Sequence, residues 1–252
     1  MFKEEFEAAA NGAAAKYAFL KKNPGGYFLM SMLAGMYIGF GVLLAFTVGG
    51  QLAGAPATKL AMGATFGVAL SLVVMAGGEL FTGNNMVMAA GVMKKKVTIA
   101  DAVKLWIFCW LGNAAGGILL ACIYHLTGLG DGAVGAFMAS AALGKMSAAP
   151  AALLTRGILC NMLVCLAVWC GFRCKSESAK LIMIFWCLLA FITTGFEHSI
   201  ANMTLLTVSL LRPAGEAVTI GGWFYNLILV TIGNMIGGVC LVGVPYFAAA
   251  KE

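Results

Sequence analysis

Charge is what this chain has least of. Only 10% of its 252 residues are Asp, Glu, Lys or Arg, against a hydrophobic share of 62%. Soluble domains carry roughly 25% charge, so a soluble globular protein is excluded. Histidine is nearly absent, with His125 and His198 the two copies. That excludes a bundle built around paired axial haem ligands. The eight cysteines form no Cys-x-x-Cys pair and read as small apolar packing residues, not as thiolate ligands or redox couples. No metal and no cofactor is expected. The first twenty residues hold Glu4, Glu5 and Glu7 and no apolar core, so a cleavable leader is not expected there.

Long apolar runs are abundant, and about 20 residues suffice to cross a bilayer. Six candidates follow: Tyr27–Val48, Leu60–Met93, Leu105–Tyr124, Ala149–Phe172, Leu181–Leu211 and Gly222–Phe247. The connections are too short for a second domain, so residues 23–252 read as one membrane domain. Ahead of it, Phe2, Phe6, Ala9, Ala13, Tyr17 and Leu20 recur at near-helical spacing. Residues 1–22 therefore read as an amphipathic helix ended by Pro24, lying on the cytoplasmic face against the bundle or the headgroups.

The net charge of +6 is informative through its placement. Lys3, Lys16, Lys21, Lys22, Lys94, Lys95, Lys96, Lys104, Arg173, Lys175, Lys180 and Lys251 fall on one face. Lys59, Lys145 and Arg212 fall on the other, and Arg156 lies inside a span. This bias predicts cytoplasmic N- and C-termini in a multi-pass cell-membrane protein, and it gives no support to nucleic-acid binding.

Two of the runs are longer than a single crossing needs, and each carries the same pattern. Gly77-x-Glu79-x4-Asn84 sits in the first and Gly195-x-Glu197-x4-Asn202 in the second, 118 positions later. Each reads as a helix interrupted at membrane depth, a backbone arrangement tolerated only inside protein or along a watery cavity. Gly112-Asn113-x-x-Gly116-Gly117 likewise returns as Gly233-Asn234-x-x-Gly237-Gly238, offset by 121. The first and fourth spans match weakly, through Gly35 and Gly157. Three spans repeated once must enter the membrane in opposite senses. The expected fold is therefore all-α: six transmembrane helices as a 3+3 inverted repeat, with spans two and five broken and a site near the midplane.

Within that plan His198 is the sharpest candidate, as a midplane group able to share a proton with a passing ligand; the plainer reading is a core histidine bracing the loop. Glu79, Glu197, Asn84 and Asn202 recur symmetrically and read as loop scaffolding, with the carboxylates accepting backbone N–H groups freed by the breaks. Thr82 is a small rotatable donor, and Asn161 is a buried polar group without an evident partner. Lys16 and Lys145 lie near opposite mouths, where they would draw in anions. Phe66, Leu70, Leu80 and Phe191 would narrow a path around His198, or simply pack the core.

These motifs are similar to those of the formate/nitrite transporter family. The resemblance runs through MGATFG at Met62–Gly67, WLGN at Trp110–Asn113, LCNMLVCLAVW at Leu159–Trp169 and CLLAFITTGFEHSIANMTL at Cys187–Leu205. It is strongest to the bacterial nitrite-channel branch. The Thr-Gly-Asn-Asn loop departs from the triplet common in formate-type members and weighs against a purely formate assignment. The resemblance implies a homopentamer in the bilayer with an aquaporin-like pore in each subunit. It also implies a central histidine at His198 with Thr82 and Asn161 as polar partners, vestibule lysines at Lys16 and Lys145, and apolar constrictions at Phe66, Leu70, Leu80 and Phe191.

The expected activity is passive or proton-coupled passage of small monovalent weak-acid anions, nitrite and formate first, with protons as the coupled species. Hydrosulfide or lactate-type anions are the alternative cargo. A neutral-solute pore of aquaglyceroporin type lacks its Asn-Pro-Ala loops here, since Asn84 precedes Asn85 and Asn202 precedes Met203. An enzyme is not expected, because Ser199 adjoins His198 instead of facing it.

Overall fold

The computed structural model describes residues 2–250; Lys251, part of the charge tally above, lies outside the described residues. Among the described residues, six helices are long and apolar enough to cross a membrane. The chain order is α1 (Lys3–Lys22), α2 (Pro24–Gln51), α3 (Thr58–Phe66), α4 (Val68–Leu72), α5 (Phe81–Met93) and α6 (Ile99–Thr127). It continues with α7 (Ala133–Met146), α8 (Pro150–Arg173), α9 (Glu177–Thr194), α10 (Ser199–Leu211), α11 (Ile220–Gly238) and α12 (Val244–Ala249). A π-helical turn at Val73–Gly77 extends α4, and another at Val239–Gly243 joins α11 to α12.

Local signals place the ends. Pro24 and Pro150 stand at the first helical positions of α2 and α8, where the missing N–H costs nothing. Thr98 and Asp101 form a reciprocal capping box on α6. Ser176 and Thr219 cap α9 and α11 through their side chains. Both breaks begin at a glycine in the left-handed region, Gly77 at φ 86° and Gly195 at φ 81°, a conformation that costs a side-chain-bearing residue roughly 1–2 kcal/mol.

Two expectations are corrected. The sequence reading places no element at 133–146, yet α7 is there; its 14 residues, mostly apolar, are too few to span. Its place defines the repeat: each half consists of a short helix, a span, a broken span and a span. The weak match of Gly35 with Gly157 also has the wrong register. Glu79 N–H donates to the Met30 carbonyl and Glu197 N–H to that of Arg156. Asn113 Nδ2 donates to the Ser31 carbonyl, and Asn234 Nδ2 to that of Gly157. Both pairs give an offset of 126, the same as Pro24 to Pro150, so Gly157 answers to Ser31 and Gly35 to Asn161.

The helix pairs α2/α6 and α8/α11 cross at glycine. A Cβ on Gly116 would enter the Met32 carbonyl, and one on Gly237 the Ile158 carbonyl. In lipid, where apolar side chains gain little by leaving the solvent, such close backbone approach is a main source of helix association. Outward-facing Leu29, Phe40, Leu44, Ile107, Phe224 and Ile228 remain exposed on the single chain. α1 buries Phe6, Ala9, Ala10, Ala13 and Leu20 and packs mainly on α5.

Candidate functional site

The two break loops meet at the middle of the molecule. Each is held by one asparagine from the span that follows. Asn113 accepts the Phe81 N–H at 2.9 Å and donates to the Glu79 carbonyl at 2.8 Å. Asn234 accepts the Ser199 N–H at 3.0 Å and donates to the Glu197 carbonyl at 3.0 Å. A carboxamide thus supplies the hydrogen bonds the interrupted helix gives up. An unsatisfied backbone group at this depth costs several kcal/mol.

The carboxylates do not do that work, contrary to the sequence expectation. Glu79 accepts from Lys16 Nζ at 2.7 and 2.9 Å, from Tyr27 Oη at 3.0 Å and from Asn84 Nδ2 at 2.9 Å. Glu197 accepts from Lys145 Nζ at 2.8 Å and Asn202 Nδ2 at 2.6 Å, and Asn202 also donates to Asn226 Oδ1 at 2.8 Å. The structure brings Lys16 and Lys145 onto these carboxylates as ion pairs, because a carboxylate this close to the midplane needs a counter-charge. Tyr27 and Asn226 were not read from the sequence. Neither has a repeated partner type that would have flagged it.

At the junction, His198 is 3% exposed and caps α10. Its Nδ1 accepts the Ala201 N–H at 3.1 Å, so the ring hydrogen of the neutral imidazole sits on Nε2. Nε2 lies 2.9 Å from Thr82 Oγ1, which therefore accepts and keeps its own hydrogen free to donate elsewhere. Phe191 stacks on the imidazole with centroids 5.9 Å apart, and Phe66 meets Phe191 edge-on at 5.5 Å. Asn161 does have partners: its Nδ2 donates to the Asn234 carbonyl at 2.7 Å and the Thr82 carbonyl at 3.3 Å. It stands behind Thr82 and lines none of the cavities described below.

Two cavities approach this point from opposite ends. The first, about 390 Å³, is lined by Lys16, Leu70, Glu79, Leu80, Asn84 and Lys180, among others. The second, about 210 Å³, is lined by Lys59, Phe66, Lys145, Phe191, His198 and Asn202, among others. Between them is a neck of about 10 Å³ enclosed by Ile38, Phe66, Leu70, Leu80, Val164, Leu188, Phe191 and His198. That is at the lower limit of the roughly 10–15 Å³ a water needs. All four expected constriction residues surround the neck. Ile38, Val164 and Leu188 are additions: Ile38 answers to Val164 at the offset of 126, and Leu188 to Leu70 at 118.

Residues 3–248 match the profile of the formate/nitrite transporter family. The chain belongs to that family. Members are transporters and channels, so the chain is not an enzyme but a multi-pass membrane protein. Over 257 aligned positions it is 40% identical to the nitrite transporter NirC of Escherichia coli K12, covering 100% of this chain and 94% of that one. It superposes on a solved ion channel of the formate/nitrite transporter family with a TM-score of 0.94 at 39% identity, covering 98% of this chain and 99% of the other. A solved pentameric formate channel with formate bound matches at a TM-score of 0.81 and 29% identity, over 92% and 99% of the two chains. Family membership accounts for the six spans and the inverted repeat. The assignment of individual side chains to a conduction pathway rests on the geometry of this chain.

Proposed function

We propose that this member of the family forms a pore for small monovalent weak-acid anions, nitrite foremost and formate next, with its N- and C-termini in the cytoplasm. Five copies assemble, each with its own pore, in keeping with the pentameric formate channel it resembles. The nitrite preference follows its 40% identity to a nitrite transporter.

The observation that carries this reading is the composition of the neck: seven apolar side chains and one imidazole. A bare anion in such a slit faces a desolvation cost of order 20 kcal/mol in the idealised limit, far above what one hydrogen bond returns. A protonated weak acid faces only the cost of a polar molecule. The anion's affinity for a proton rises as it loses water at either end of the neck. His198 lines the neck and gives its Nε2–H to Thr82 Oγ1, so the hydrogen left to meet the anion is that of the Thr82 hydroxyl, with Asn161 holding the Thr82 backbone from behind. The proton comes from cavity water or from His198. In the second case Nδ1 first releases the Ala201 amide and takes a proton from cavity water. The imidazolium then passes its Nε2 proton to Thr82 Oγ1 as the Thr82 hydroxyl gives its own to the anion, leaving a neutral ring. The neutral acid crosses and deprotonates on the far side, so net movement follows the gradients.

The test is simultaneous recording of nitrite and proton flux in proteoliposomes for the wild type and for H198N. Coupled flux is expected to fall about a hundredfold in H198N, within the usual range for a positioned acid–base group. Undiminished coupled flux in that variant overturns the shuttle. Swelling of the vesicles in iso-osmotic glycerol would instead favour a neutral-solute pore.

A further inference from the structure

The outer mouth, on the α7 side, carries a charge that the family resemblance does not assign. Lys145 lines that cavity, but its ammonium is 2.8 Å from the buried carboxylate of Glu197. Seen from bulk water the pair is a dipole with no net charge, and its pull on an approaching anion fades quickly with distance. Arg212 is likewise paired, with Asp131. Arg156 is exposed and lines none of the cavities described above. Lys59 is different. It lines the same cavity as Lys145, is exposed, and has no ion-pair partner among the described residues.

Its position is also unexplained by helix stability. Lys59 stands in the first turn of α3, the end at which the helix dipole disfavours a cation. No acidic residue shares that turn to compensate. At the inner cavity, by contrast, Lys16 is held by Glu79 and Lys180 by Glu177.

We propose that Lys59 is the capture site for the permeating anion at the outer mouth, and that the Lys145–Glu197 pair receives the anion from it. This rests on the reading of the chain as an anion pore. The unpaired charge attracts a monovalent anion across roughly a Debye length of 8 Å at physiological ionic strength. Lys145 then offers a short-range donor deeper in, where its own charge is spent. Capture is thereby one-sided: at low external anion the outer mouth fills first, while at saturation the neck limits the rate.

The experiment is nitrite uptake into right-side-out spheroplasts carrying the full chain, as wild type, K59M, K59R and K59E. At low ionic strength the external nitrite needed for half-maximal uptake is expected to rise about threefold to tenfold in K59M and further in K59E. K59R should behave as wild type, and maximal uptake should be unchanged in all three variants. High concentrations of an impermeant salt should erase the differences. Equal half-saturation in K59M and wild type at low salt overturns the proposal, as does a loss of maximal uptake that salt leaves untouched. Absence of uptake in the wild type itself would overturn the anion-pore reading beneath it.

Discussion

At the scale of single residues, the buried ion pairs are the most exposed to test. Glu197 is 3% exposed and depends on Lys145 for its counter-charge. Removing one partner leaves the other uncompensated, at a cost typically of about 3–5 kcal/mol, whereas removing both leaves no charge behind. K145M should therefore lower thermal stability in detergent markedly, and K145M/E197Q should recover much of the loss. Additive losses would show that the two side chains do not act as a pair. Asn234 makes a parallel case. N234L removes three hydrogen bonds around the second break and should cost about 3 kcal/mol by the same assay. The recurrence of Glu79, Asn113, Glu197 and Asn234 was legible in the sequence because two copies of one spacing stand out against hydrocarbon. Their division of labour was not. A carboxylate and a carboxamide can both satisfy a broken turn, and only distances decide which one does.

At the scale of elements, α1 combines a buried alanine face with an exposed ionic seam. Glu7 on α1 meets Lys96 at 2.8 Å and Lys94 at 3.7 Å, in the loop after α5. The hydrogen bond from Lys96, followed by the charges of Lys96 and Lys94, outweighs partial desolvation and holds the Glu7 carboxyl below its ordinary value. A lowered carboxyl value means that its docking contribution is present above the free-chain value of about 4 and is lost as the pH falls through the docked value. Protection of α1 against hydrogen exchange, corrected for the intrinsic rate, should fall in acid. E7Q should reduce that acid dependence, the Tyr17–Asp101 and Glu5–Arg173 contacts supplying the rest, while leaving the remainder of the bundle unchanged. The glycine crossings are less forgiving. G116V and G237V each force a side chain into a facing carbonyl and should prevent stable folding of the detergent-solubilised protein. The spans themselves were plain from hydropathy. α7 was not, because a helix of 14 residues is too short to register as a span until Lys145 is seen to answer to Lys16.

At the scale of the whole molecule, the two halves are nearly interchangeable at the neck. Ile38 faces the role of Val164, Leu70 that of Leu188, and Leu80 that of His198. Their offsets of 126 and 118 differ because α2 and the connection after it are longer than α8 and its connection, which is why one sequence offset could not align every span. Nitrite and formate should therefore compete for one pathway, each lowering flux of the other in mixed-anion uptake. Independent fluxes would require two pathways per subunit. Cross-linking in native membranes should end at five copies, and a ladder stopping at two or three would contradict the assembly proposed here.

The clamped breaks have a mechanical consequence. An interrupted helix is often read as a hinge, but here each interruption is bonded on both sides by one carboxamide, and its chain also bonds a neighbouring helix at Met30 or Arg156. Such a loop has little freedom to bend. Motion at the neck then falls to its side chains, the edge-paired rings of Phe66 and Phe191 among them. Opening by ring rotation is a local event and needs no helix to travel. A pore of this kind would flicker constantly instead of switching between long-lived states, and below saturation the supply of anion at its mouths would set its throughput.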